Sequence, residues 1–120
     1  MMEYIRRHAT YDAATKELWL TSRFVFFVLR KEHVHIDDIH LVDAINRDAF
    51  GHDEIYVRFH VPNGGIVVSQ YDQGFAKLVE SLSDVFLGID RWIDVSPEIP
   101  FTDATLILWE RPADIETPGG

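Results

Sequence analysis

Apolar and polar positions alternate along residues 55–61, with Ile55, Val57, Phe59 and Val61 on one face and Tyr56, Arg58 and His60 on the other. This is the period of a strand with one dry face. Pro62-Asn63-Gly64-Gly65 supplies a fixed φ followed by residues that accept φ > 0, so the chain is predicted to reverse and return over Ile66–Tyr71 as a hairpin. The period then lengthens: Phe75, Leu78, Val79, Leu82 and Phe86 fall on one helical stripe. Asp72 is placed to cap and Gly88 to stop an amphipathic helix over about 73–87. Such a stripe closes a core by lying on the dry face of a sheet.

The rest of the chain reads mostly as strands. Tyr4–Thr10 and Glu17–Thr21 flank a loop that Asp12 is suited to initiate by bonding its own backbone two residues on. Arg23–Lys31 contains Phe24-Val25-Phe26-Phe27-Val28-Leu29, apolar on both faces. That predicts a central strand covered on both sides, with an outer aromatic interface as the competing reading. His33–Asp37 is extended, Asp37-Asp38 breaks the phase, and Ile39–Ile45 alternates again. Ile89–Asp103 carries Trp92, Ile93, Ile99 and Phe101 without a period, which predicts a long loop packing its aromatics on the core. Ala104–Glu110 is a short strand stopped by Arg111-Pro112. The sum is an α+β domain over 1–112, a bent antiparallel sheet of about seven strands with one main helix and a further C-terminal strand. An acidic tail over 113–120 is expected to be disordered.

Charge narrows the partners. Eleven Lys and Arg against twenty Asp and Glu give −9, a field that repels phosphate backbones and anionic lipid and attracts a cationic protein. The 120 residues suffice for one core. No cysteine is present, so disulfides, zinc thiolates and cysteine nucleophiles are excluded. The start of the chain shows no apolar leader and no run is long enough to span a bilayer, which predicts a soluble, cytoplasmic protein.

Candidate chemistry is sparse. His33, His35 and Asp37 would share a strand face, the spacing of a His-x-Asp metal pair plus one imidazole, but with no second shell in view they read as the solvated positions of an edge strand, and no metal or cofactor is assigned. No nucleophile elbow, phosphate loop or dinucleotide fingerprint occurs, which points away from an enzyme without excluding one. The connection Asn46–Glu54 is polar and turn-rich, with Phe50 at its centre. Arg47, Asp48, Phe50, His52 and Asp53 make an aromatic anchor ringed by charges, and these five are the predicted partner-binding residues.

The run from Arg23 to Ile39, read with the later hairpin and the Phe75–Phe86 helix, resembles small bacterial pleckstrin-homology-like domains. Asn46-Arg47-Asp48, Gly74-Phe75 with Leu78, Leu87-Gly88-Ile89 and Leu108-Trp109-Glu110-Arg111 are similar to a family of small bacterial proteins without an assigned activity. The resemblance implies a bent sheet plugged by a helix. It implies no lipid-headgroup site, because the first hairpin loop carries Lys16 alone where a phosphoinositide binder clusters bases. The functional expectation is a non-catalytic module binding a protein, of immunity type if the partner is cationic, with a homo-oligomer left open. The alternative is a small metal-dependent enzyme or metal sensor using His33, His35, Asp37 and His60.

Overall fold

The computed structural model describes residues 5–49, 52–96 and 103–112. Among these, seven strands form two antiparallel sheets rather than a single bent one. The first holds β1 (Ile5–Asp12), β2 (Glu17–Phe24) and β3 (Phe27–His35) in that order. The second holds β4 (Leu41–Ala49), β5 (His52–Val61), β6 (Gly64–Ser69) and β7 (Ala104–Glu110) in the order β6-β5-β4-β7. One α-helix, α1 (Phe75–Leu82), closes the core. The predicted tail over 113–120 and the prolines, Ile99 and Phe101 of the long loop lie outside the described residues.

Each sheet contributes one dry face. Leu18, Leu20 and Ala9 from the first meet Val42, Ala44, Ile55, Val57, Phe59, Ile66, Val68 and Leu108 from the second, all at most 7% exposed. Phe75, Leu78, Val79 and Leu82 bring in the helix stripe that the sequence predicts. The Pro62–Gly65 hairpin forms as read, with Val61 opposite Gly64 and His60 opposite Gly65. Asp12 also initiates its loop: its Oδ1 accepts from Ala14 N at 3.0 Å.

Three further expectations need correction. The helix is shorter than 73–87, because Asp72 does not cap it. The Asp72 carboxylate accepts from Ser69 N at 2.8 Å and from Arg7 Nε at 3.2 Å, and Gly74, at φ 83°, occupies the cap position with its Cα against Ala9 O, where a Cβ would collide. Beyond Leu82 the chain leaves the helix, yet Phe86 stays buried by turns that bond Val85 and Phe86 N to Leu82 O. Residues 89–94 form 3-10 turns rather than loop, burying Ile89 and setting Trp92 edge-on to Phe75 at 4.8 Å. Finally, residues 23–31 are not a central strand. The chain reverses at Val25-Phe26, Phe24 pairs with Phe27, and β3 is an edge strand.

A second reversal is built at Ile36–Asp38, a 3-10 turn that hands the chain from the first sheet to the second. Arg111 fastens this corner from the far end of the sequence. Its guanidinium donates to Ile39 O at 2.8 and 3.2 Å and to Asp37 O at 3.1 Å, and its backbone N to His40 O at 3.0 Å.

Candidate functional site

The predicted contact patch sits at the end of the β4–β5 hairpin. Most of Asn46–Glu54 is strand, not loop, with Arg47 opposite Glu54, Asp48 opposite Asp53 and Ala49 opposite His52. Consecutive polar residues here continue the ladder because their backbones find partners, whatever their turn propensity. Phe50 lies outside the described residues, and for Asp48, His52 and Asp53 the description extends to the backbone. Arg47 is exposed. On its strand face stand Glu54 and Tyr56. Burial, then the hydrogen bond to Glu54 and its charge, push the Tyr56 phenol up.

Glu54 and Tyr56 border a shallow cleft of about 580 Å³ between the start of β1 and the outer face of the second sheet, lined also by Arg6, Arg7, Ser69 and Asp72. Its polar groups are engaged with one another. Arg7 meets Asp72 at 3.1 Å and donates to Val67 O at 2.6 Å, while Ser69 Oγ donates to Glu54 Oε2 at 2.6 Å. Among the described side chains Ser69 bonds to a carboxylate and to no imidazole, so nothing there activates it as a nucleophile. The cleft ties β1 to β5 and β6.

The histidines are similarly occupied. His33 stacks on Trp19 with centroids 4.4 Å apart, and its Nδ1 lies 3.2 Å from Glu17 Oε2. His35 Nδ1 accepts from Asp37 N at 3.1 Å, acting as cap of the 3-10 turn. His60 belongs to another place, the outer face of the second sheet, with Nε2 3.1 Å from Asp43 Oδ1. Among the described residues no group of three or more His, Asp, Glu or Cys side chains is arranged to hold a metal. There, too, no helix is long and apolar enough to cross a membrane.

Asp43 is only 4% exposed although it faces away from the core. Burial alone would push its carboxyl up, but hydrogen bonds and charge from Arg58 and His60 outweigh that and hold it below its usual range. The same contact raises Arg58. The pair joins β4 to β5 and needs no substrate to explain it.

What remains is the β2–β3 hairpin. Val25, Phe26, Phe27, Val28 and Leu29 are 58%, 88%, 67%, 48% and 55% exposed. A register shift at Ser22/Arg23 produces this arrangement: Ser22 pairs with Arg30 but Arg23 with Val28, so Leu29 is the extra residue of a bulge. The shift puts Phe27 with Ile5 and Phe24 in one cross-strand row, on the face that Leu18 and Leu20 use for the core but beyond the core's edge. Val28 goes to the opposite face. Val25 makes the turn at φ 56°, a conformation that a β-branched residue adopts only at a cost.

The surrounding charge is positive. Residues 5–31 hold six Lys and Arg against two Asp and Glu, net +4, which leaves five Lys and Arg against eighteen Asp and Glu, net −13, in the rest of the chain. Arg6, Arg23, Arg30 and Lys31 collar the tip. Lys31 also lies over the Trp19 ring at 5.4 Å, and Arg30 Nε is 3.1 Å from Glu32 Oε2. The sequence signal was the two-sided apolar run between Arg23 and Arg30-Lys31. The turn inside it was hidden, because neither Gly, Pro, Asn nor Asp marks it.

Comparison with protein-family models, with curated proteins and with solved structures gives no match to this chain.

Proposed function

We propose that the chain is a non-catalytic protein-interaction module whose contact surface is the β2–β3 hairpin. The observation that carries this is the exposure of five consecutive large apolar residues, Val25–Leu29, on both faces of one turn. Solvated loops do not gather such a surface, and contiguous apolar patches on a soluble chain mark contact sites. The polar clusters, by contrast, are closed on themselves as ion pairs and hydrogen bonds that hold strands together. An immunity-type role against a cationic protein would draw on the acidic remainder and not on the basic-collared hairpin, and the pleckstrin-homology-like kinship draws its support from the combination of antiparallel sheets and helix. Arg47 and the residues around it would then flank the contact rather than centre it.

The test is a photoreactive benzoylphenylalanine placed at position 26, with the same residue at Glu80 on the exposed side of α1 as control. Irradiation in cells should give a covalent adduct from position 26 and none from position 80. If position 26 yields no adduct of any kind, the hairpin is not a contact surface and the proposal fails.

A further inference from the structure

Resting on that reading, we infer that the hairpin's partner is a second copy of this chain, and that its seat is the segment 84–94 which follows the helix. This segment is the hairpin's chemical complement. Leu87 is 72% and Ile93 65% exposed, although Phe86 and Ile89 beside them are fully buried. Asp84, Asp90 and Asp94 are exposed among them. An apolar tip collared by Arg23, Arg30 and Lys31 therefore has, on the same molecule, a short segment that exposes two large apolar side chains and three carboxylates. The one cation in the segment, Arg91, is turned to β7, where its Nη2 donates to Ile107 O at 3.2 Å.

Within one protomer the two surfaces do not meet, since both are open to solvent. Between two protomers they meet twice, each hairpin on the other's segment, which is the reciprocal contact a twofold axis requires. Area is sufficient. Phe26 and Phe27 together leave roughly 300 Å² in water at about 200 Å² per ring side chain, and Val25, Val28 and Leu29 bring the tip to roughly 500 Å². Leu87 and Ile93 leave roughly 250 Å² on the seat, so two reciprocal contacts bury on the order of 1,500 Å², within the range of a standard interface. A bilayer would accept the same tip, but a second copy offers the basic collar fixed carboxylates beside exposed apolar side chains, a local complementarity that acts against the mutual repulsion of two chains of net −9.

The experiment is sedimentation velocity of the whole chain with a charge exchange. One variant carries Arg30→Glu and Lys31→Glu, the other Asp90→Lys and Asp94→Lys; all four positions are exposed, and circular dichroism checks that both variants fold. The natural chain should sediment as a dimer. Each variant alone should dissociate at least about tenfold more readily, because like charges then oppose at both contacts. Mixed, the two should form a heterodimer near natural affinity, since both contacts are again opposite in sign. A natural chain monomeric at every concentration overturns the inference. If position 26 then still cross-links to a foreign protein, the contact surface stands without the dimer; if the monomer instead floats with phosphatidylglycerol–phosphatidylethanolamine vesicles, the occupant is lipid. A dimer that the mixture fails to restore overturns segment 84–94 as the seat.

Discussion

Arg58 grips Asp43 across the β4–β5 ladder with both ends of its fork, Nε 2.9 Å from Oδ1 and Nη2 2.7 Å from Oδ2. A bidentate pair of this kind fixes register as well as energy. Removing the carboxylate charge leaves a guanidinium without its partner, so Asp43→Asn should lower unfolding free energy by about 1.5–3 kcal/mol, read by urea titration at neutral pH. A loss near zero would mean that Arg58 finds water at no cost.

The same pair sets an acid limit. Because the folded carboxyl titrates below its ordinary value of 3.8, its stabilisation is present above that value and is lost as pH falls through the lower, folded one. Stability measured against pH should therefore drop more steeply below about pH 4 in the natural chain than in Asp43→Asn. Parallel curves would remove Asp43 from the acid transition.

Leu82, fully buried at the last turn of α1, tests the helix-on-sheet core. Leu82→Ala should cost about 2–5 kcal/mol, since the surrounding side chains refill the space only in part. A cost under about 0.5 kcal/mol would contradict the packing described.

Val25 offers a change of the opposite sign. Glycine accepts φ 56° without a Cβ clash, so Val25→Gly should raise the melting temperature, with a gain of about 1 kcal/mol, while removing apolar surface from the tip. A destabilised variant would show that valine is not strained there.

Arg111 joins three carbonyls of the Ile36–Ile39 corner. Arg111→Lys keeps the charge but loses the planar fork, and should recover little of the roughly 1–3 kcal/mol that Arg111→Ala forfeits. Full rescue by lysine would assign the effect to charge alone.

The elements that could be read from sequence are those whose period and punctuation agree. Ile55–Val61 alternates and meets Asn63-Gly64-Gly65, and the stripe from Phe75 to Leu82 has one face to hide. Where the two signals part, reading fails. The Phe24–Leu29 run has strand composition and no turn residue, so a reversal forced by cross-strand pairing is invisible, and with it the most exposed apolar surface among the described residues. Asp72 had the chemistry of a cap but is drawn away by Arg7, sixty-five positions earlier in the chain. The division into two sheets rests on which strands pair, above all β7 with β4, and pairing across such distances leaves no local trace. At the predicted contact patch the residue types were legible; their being strand rather than loop was not, because ladder bonds override propensity.

The position of β4 between β5 and β7 also bears on how the molecule forms. β5 follows β4 directly and can pair early, but β7 arrives only with residues 104–110, so β4 spends the intervening time as an open edge flanked by Leu41, Val42 and Ile45. Closing a loop of that length before its contacts repay the entropy slows folding toward the millisecond-to-second range of non-local β proteins. During that interval the unpaired edge is a template for another chain. The docking of β7 is then both a non-local step of folding and the event that removes this template.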